Sequence, residues 1–131
     1  MVELTKAMIR HAREVLENAY APYSNYKVAS CLSSEDDNFY VGVNVENAAY
    51  GLSVCAETSA ISQMIAAGKR KIKHLVVLNN AHVICSPCGA CRQRIFEFST
   101  PETTIHLCNG ESVIESMRID ELLPNAFRFK P

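Results

Sequence analysis

Cys88 and Cys91 stand three residues apart, directly behind Ser86-Pro87. No other run in the chain constrains its folding as tightly. Ser is a favoured N-cap and Pro a favoured first helical residue, so the sequence predicts a helix over residues 88–98. Helical positions three apart share a face, which puts both sulfurs on one side of the first turn. The unpaired N–H groups and the dipole at a helix start favour the thiolate over the thiol. Cys55 opens a second expected helix over residues 55–67. Ala56, Ala60, Ile61, Met64 and Ile65 lie on one side of it, and Gly68 is a natural stop. Each helix follows a strand region. If those strands are neighbours, the two helix starts lie side by side at one end of the sheet, where open α/β sheets bind ligands. Three thiolates can therefore converge.

On its own, Cys-x-x-Cys fits a redox pair, half a zinc site or coincidence. Three thiolates leave one position of a tetrahedral zinc unfilled, and an open position distinguishes catalytic sites from structural ones. Glu57, in the same first turn as Cys55, is an ordinary dipole partner in isolation. Beside a metal-activated water it becomes a proton shuttle. Cys85 precedes the Pro-marked helix start and is expected to point elsewhere. Cys31, Cys85 and Cys108 read as small packing residues. His74, His82 and His106 have no ligand spacing and read as structural or surface groups.

The remaining pattern alternates. Residues 3–19 carry Leu4, Met8, Ala12, Val15, Leu16 and Ala19 at helical spacing, with Pro22 beyond the end. Strands are expected at 26–32 and 39–45 around a polar turn at 35–38, then at 74–78 and 104–108. Asn109-Gly110 is a strong hairpin signal and predicts that the next strand, 112–118, runs back antiparallel. A closing helical turn at 119–123 precedes Pro124. The order α-β-β-α-β-α-β-β implies an α/β fold, three-layer α-β-α, on a five-stranded mixed sheet with an antiparallel last strand.

The 131 residues suit one domain spanning 1–131. The net charge of −1 gives no basic excess for gripping a phosphate backbone, so no nucleic-acid partner is expected. The basic run Lys69-Arg70-Lys71-Ile72-Lys73 is assigned to complementing a helix C-terminus. No apolar stretch approaches the roughly 20 residues of a membrane span, and charges interrupt the first ten residues where a signal peptide would be apolar. A cytoplasmic location is expected, where six cysteines stay reduced.

The paired motifs Cys55-Ala56-Glu57 and Pro87-Cys88-Gly89-Ala90-Cys91 resemble the zinc-dependent nucleobase deaminases in their three-cysteine variant. The chain looks most similar to the small cytidine deaminases that act on free nucleosides. The likeness extends through Pro22-Tyr23-Ser24, the run from Asn44-Val45-Glu46 to Tyr50, Ser86 to Gln93, and Glu121-Leu122-Leu123-Pro124 followed by Phe127. It covers nearly the whole chain in order. The resemblance implies one zinc per chain on Cys55, Cys88 and Cys91, with Glu57 moving protons and bonding the ring nitrogen. It implies that Asn44 and Glu46 hold the ribose 3′-hydroxyl, that the backbone at Ala56 meets the base, and that Tyr26 packs on it. Phe127 matches an aromatic that reaches a neighbouring subunit's site, so a homotetramer with shared sites is implied.

Thr58 stands where many three-cysteine relatives carry Arg. Zinc with three thiolates has net charge −1, which weakens it as a Lewis acid. Thr58 can offer a neutral hydrogen bond but no charge, which leaves Arg92 and Arg94 as candidates to compensate. Ala29-Ser30 replaces a common Gly-Ala, a change expected to affect strand packing alone. Four other readings remain open: a polynucleotide deaminase, a deaminase of a cytosine nucleoside analogue, a zinc-stabilised binding protein without turnover, and a thiol redox protein.

Overall fold

A computed structural model describes residues 2–129. The order is α1 (Val2–Leu16), β1 (Val28–Ser34), β2 (Phe39–Val43), α2 (Ala56–Ala66), β3 (Ile72–Asn79), α3 (Gly89–Glu97), β4 (Ser99–Cys108), β5 (Val113–Arg118) and α4 (Ile119–Leu122). The sheet runs β2-β1-β3-β4-β5. β3 and β4 are parallel, and the other neighbours are antiparallel. The antiparallel last strand follows from its turn: Asn109 Oδ1 accepts from the Glu111 and Ser112 N–H groups, and Gly110 takes φ +106°.

Both sheet faces are covered, because successive strand residues point to opposite sides. Ala29, Cys31, Val76, Leu78 and Cys108 pack under α1 with Met8, Ile9 and Ala12. Leu32, Leu75, Val77, Ile105 and Leu107 pack under α2 and α3 with Ala60, Ile61, Met64 and Ile95. Cys31 and Cys108 are core thiols, as the sequence suggests. Ala29 fits against α1, and buried Ser30 donates from Oγ to Val76 O at 2.8 Å. Arg70 bonds the Ile65 carbonyl at the end of α2, while Lys69 and Lys73 pair with Asp36 and Asp37 of the β1–β2 turn. Among the described residues no helix is long and apolar enough to cross a membrane.

Several boundaries differ from expectation. α1 stops at Leu16 because i→i+3 bonds from Asn18 and Ala19 close its last turn. β1 begins at Val28, not residue 26, because the Asn44 amide intercepts the chain there. It donates to Tyr26 O and accepts from Val28 N, both at 2.9 Å. β2 ends at Val43, and the segment from 44 onward folds on itself through paired backbone bonds between Val45 and Val54.

Gly42 explains how α2 sits on β2. A Cβ there would lie 2.3 Å from Ala60 N and 2.5 Å from Ala56 O. Those are backbone atoms that cannot step aside, so only glycine permits this approach. Ser59 Oγ donates to Val43 O at 3.0 Å and fixes the same contact. Gly42→Ala is predicted to lift the start of α2 and to lower stability by about 1–3 kcal/mol, read as an earlier urea midpoint.

His74 and His106 are stacked beneath the α1 side, with Nδ1 of the first 3.1 Å from Nε2 of the second, and Ser116 Oγ 2.7 Å from His106 Nδ1. Burial and the neighbouring His74 bring His106 down to about 4 from an ordinary 6.5. Above 6.5 neither the folded nor the unfolded form carries the proton, so His106 contributes no pH dependence. Between 6.5 and about 4 the unfolded chain takes a proton that the fold refuses. Stability should therefore fall as pH drops through that window, by about 2 kcal/mol near pH 5. In urea titrations at neutral pH and near pH 5, His106→Gln should show a smaller acid loss than the parent protein. Equal losses would contradict this.

Candidate active site and metal centre

Two helices begin at the same end of the sheet, and each begins on a cysteine. Cys55 caps α2 and Cys88 caps α3, both with extended backbone and neither with a side-chain cap bond. Their sulfurs are thus free of the helix they open. Cys91 is the third residue of α3 and is fully buried. The three sulfurs lie within 4.8 Å of one another, with Cys55 and Cys88 at 3.7 Å. Tetrahedral zinc with bonds of about 2.3 Å requires sulfurs about 3.8 Å apart, so the donors fit that ion.

The expected cap is corrected here. α3 starts at Gly89, with Cys88 as its cap, and not on Ser86 and Pro87. Arg92 is the cause. Its guanidinium donates to Pro87 O, Ser86 Oγ and Leu122 O at 2.8–3.0 Å, strapping the approach to α3 against α4. Arg92 is therefore occupied by these acceptors and does not reach the thiols. Thr58 Oγ1 lies 3.7 Å from Cys91 Sγ, in place to donate the neutral bond expected of it. Arg94 is exposed and shares a surface groove with Thr58.

Glu57 is 4% exposed, and burial pushes its carboxyl up from the usual range. Cys55 is drawn down by a hydrogen bond from Cys91. Cys91 is pushed up by that same bond, by burial and by the nearby Glu57 carboxylate. Three ionised sulfurs beside a buried carboxylate would repel one another, and a dication is what lets such a set coexist.

Tyr26, Asn44, Glu46, Ala56 and Glu57 line one cavity of about 460 Å³ with Cys55, Cys85 and Cys88. Asn44 spends one N–H and one lone pair on the backbone of 26 and 28, leaving one of each. Glu46 accepts from Tyr23 N and Ser24 N on one oxygen and from the Ser24 hydroxyl on the other. Those bonds, led by the hydroxyl, lower its pKa and keep it an acceptor. Cys85 contributes to the cavity wall, a placement that the sequence reading missed. Its Sγ is 3.9 Å from Tyr26 Oη, and burial pushes its thiol up. Phe127 is not part of this wall. It is 71% exposed, and its backbone is held on both sides by the Gln93 amide.

An open three-thiolate centre beside a buried acid defines a class of protein, the metal-assisted hydrolases that act through an activated water. Residues 2–107 match the family model described as the cytidine and deoxycytidylate deaminase zinc-binding region. A cytidine deaminase from Mycoplasma genitalium is 38% identical over 122 residues, covering 92% of this chain and 93% of the relative. One from Sporosarcina psychrophila is 39% identical over 120 residues, covering 92% and 88%. The crystal structure of cytidine deaminase from Burkholderia pseudomallei superposes with a TM-score of 0.86 at 41% identity, covering 92% of this chain and 97% of that one. The chain belongs to the cytidine deaminase family, and its cysteine cluster fits one zinc per chain.

Metal analysis is predicted to return about one zinc per chain, and Cys88→Ser to lose it together with several degrees of melting temperature. Full zinc occupancy in that variant would remove Cys88 from the ligand set.

Proposed function

We propose that the protein deaminates cytidine and deoxycytidine to uridine and deoxyuridine, releasing ammonia. The observation that carries this reading is the buried Glu57 carboxylate, set beside the three sulfurs and facing the same cavity as Tyr26, Asn44 and Glu46. The relatives named above act on cytidine by their names, and they cover this chain almost end to end. When bound at Cys55, Cys88 and Cys91, zinc supplies the Lewis acidity that brings a water toward ionisation near neutral pH.

The chain's own residues do the rest. Glu57 takes one proton from the attacking water and gives it to ring N3, then takes the second from the hydroxyl now on C4 and gives it to the amine, which leaves C4 as ammonia. Water enters and ammonia departs, so the reaction balances without a redox partner. Burial suits Glu57 to this work, because a raised pKa lets it give up a proton as well as take one. Asn44 offers one donor and one acceptor, and Glu46 a charged acceptor, which matches a sugar hydroxyl that both gives and receives. Tyr26 forms the wall for the base, and the backbone at Ala56 meets its polar edge.

The assembly we infer is a homotetramer with shared sites. Tyr50 and Leu52 are 85% and 67% exposed, and Tyr50 stands on the cavity rim. Phe127 and Phe129 are 71% and 84% exposed with no role in their own cavity. A neighbouring chain would cover these apolar groups. We place the enzyme in the cytoplasm, in pyrimidine salvage, a reading that suits its six unpaired thiols. Glu57→Gln is predicted to keep zinc and to lower turnover of cytidine by about 10²–10⁴-fold, measured as uridine and ammonia formed. Near-normal turnover in that variant would rule out the shuttle.

A further inference from the structure

Tyr26 lies outside every regular element, yet both its backbone and its ring are held. Asn44 bonds its carbonyl, and Asn80 bonds the chain on either side of it, accepting from Lys27 N at 3.0 Å and donating to Asn25 O at 3.1 Å. The ring has its own anchor. Asn79 Nδ2 donates to Tyr26 Oη at 2.9 Å. Asn79 is the last residue of β3 and is 0% exposed, and it does not line the cavity. An amide buried this deeply must use its polar atoms, and its bonds tie the Tyr26 ring to the segment just after β3. The same Nδ2 donates to Val83 O at 3.1 Å, and Oδ1 accepts from Ala81 N at 2.9 Å. Val83 and Ala81 belong to the segment that leads from β3 to Cys88.

We propose that Asn79 is a positioning residue that locks the Tyr26 ring and the approach to Cys88 into one unit, so that the wall for the base and the metal-ligating helix start keep a fixed spacing. This rests on the reading of the cavity as a nucleoside site. Tyr26 itself touches the base, and Asn79 acts through it. A wall that contacts the base alike in the ground and transition states affects binding rather than the chemical step. Removing the hydroxyl should therefore act on KM. Removing Asn79 also frees the segment before Cys88 and should act on both constants.

The test is a double-mutant cycle in steady-state kinetics with cytidine, with zinc measured in each protein. Tyr26→Phe is expected to raise KM roughly three- to tenfold with kcat within about twofold, the scale of one ordinary hydrogen bond. Asn79→Ala is expected to lower kcat/KM by about 10–100-fold, as loss of a supporting shell around a metal site does. Adding Tyr26→Phe to Asn79→Ala should then change KM by less than about twofold, because the bond is already gone. A Tyr26→Phe protein with unchanged KM, or effects that multiply in the double variant, would overturn the proposal. A lock that serves only stability would move the melting temperature and leave KM alone. If Asn79→Ala does not fold, an unchanged KM in Tyr26→Phe overturns the proposal by itself. Should the unmodified protein turn over neither cytidine nor deoxycytidine, the functional reading fails and this inference falls with it. An active parent with multiplicative variants would sink the inference alone.

Discussion

Everything at the site depends on two helix N-termini meeting above one end of the sheet. β2 and β3 both point their C-terminal ends there, separated by β1, and α2 and α3 follow them. A helix start carries free N–H groups and the positive end of a dipole. Placing Cys55 and Cys88 at the cap positions, with Cys91 one turn further in, brings three sulfurs to where the backbone favours negative charge. Backbone at a single close approach sets the spacing. Gly42 has no Cβ, so α2 rests on β2 at a depth that any side chain would prevent.

The electrostatics follow from that crowding. Three thiols within 4.8 Å of one another beside a buried carboxylate cannot all ionise on their own, and the opposite pKa shifts of Cys55 and Cys91 follow from that crowding. A dication resolves it, and Glu57 lines the cavity beside the cysteines. Thr58 contributes one neutral bond to Cys91 and no charge. Arg92 spends its guanidinium on the carbonyls before and after the site. Among the described residues, Thr58 makes a neutral contact to these sulfurs from outside the cluster, and Arg92 is engaged elsewhere.

Much of this was legible in the sequence, for identifiable reasons. The α2 helix was marked by the apolar spacing after Cys55, the presence of α3 by Ser86-Pro87 although its cap is Cys88, and the last hairpin by Asn109-Gly110. The strand limits were less legible, because side chains compete with the ladder there. Asn44 ends pairing at Val28, a long-range contact that local pattern does not encode. Ser86-Pro87 reads as a helix start, but a guanidinium five or six residues later claims both groups. Gly42 did leave a signal, a lone glycine inside Phe39–Val43, the mark of a close backbone approach. Asn79 left none beyond being an asparagine at the end of an apolar strand, since its partners are 2, 4 and 53 residues away and the last, Tyr26, is what ties it to the site.

Zinc K-edge X-ray absorption on the metal-loaded protein tests the central claim most directly, because it counts ligands without reference to activity. Convergence of Cys55, Cys88 and Cys91 around an open position predicts three sulfur scatterers at about 2.3 Å and one oxygen at about 2.0 Å. Four sulfurs would mean that Cys85 closes the site as a structural centre, and that outcome would contradict the account.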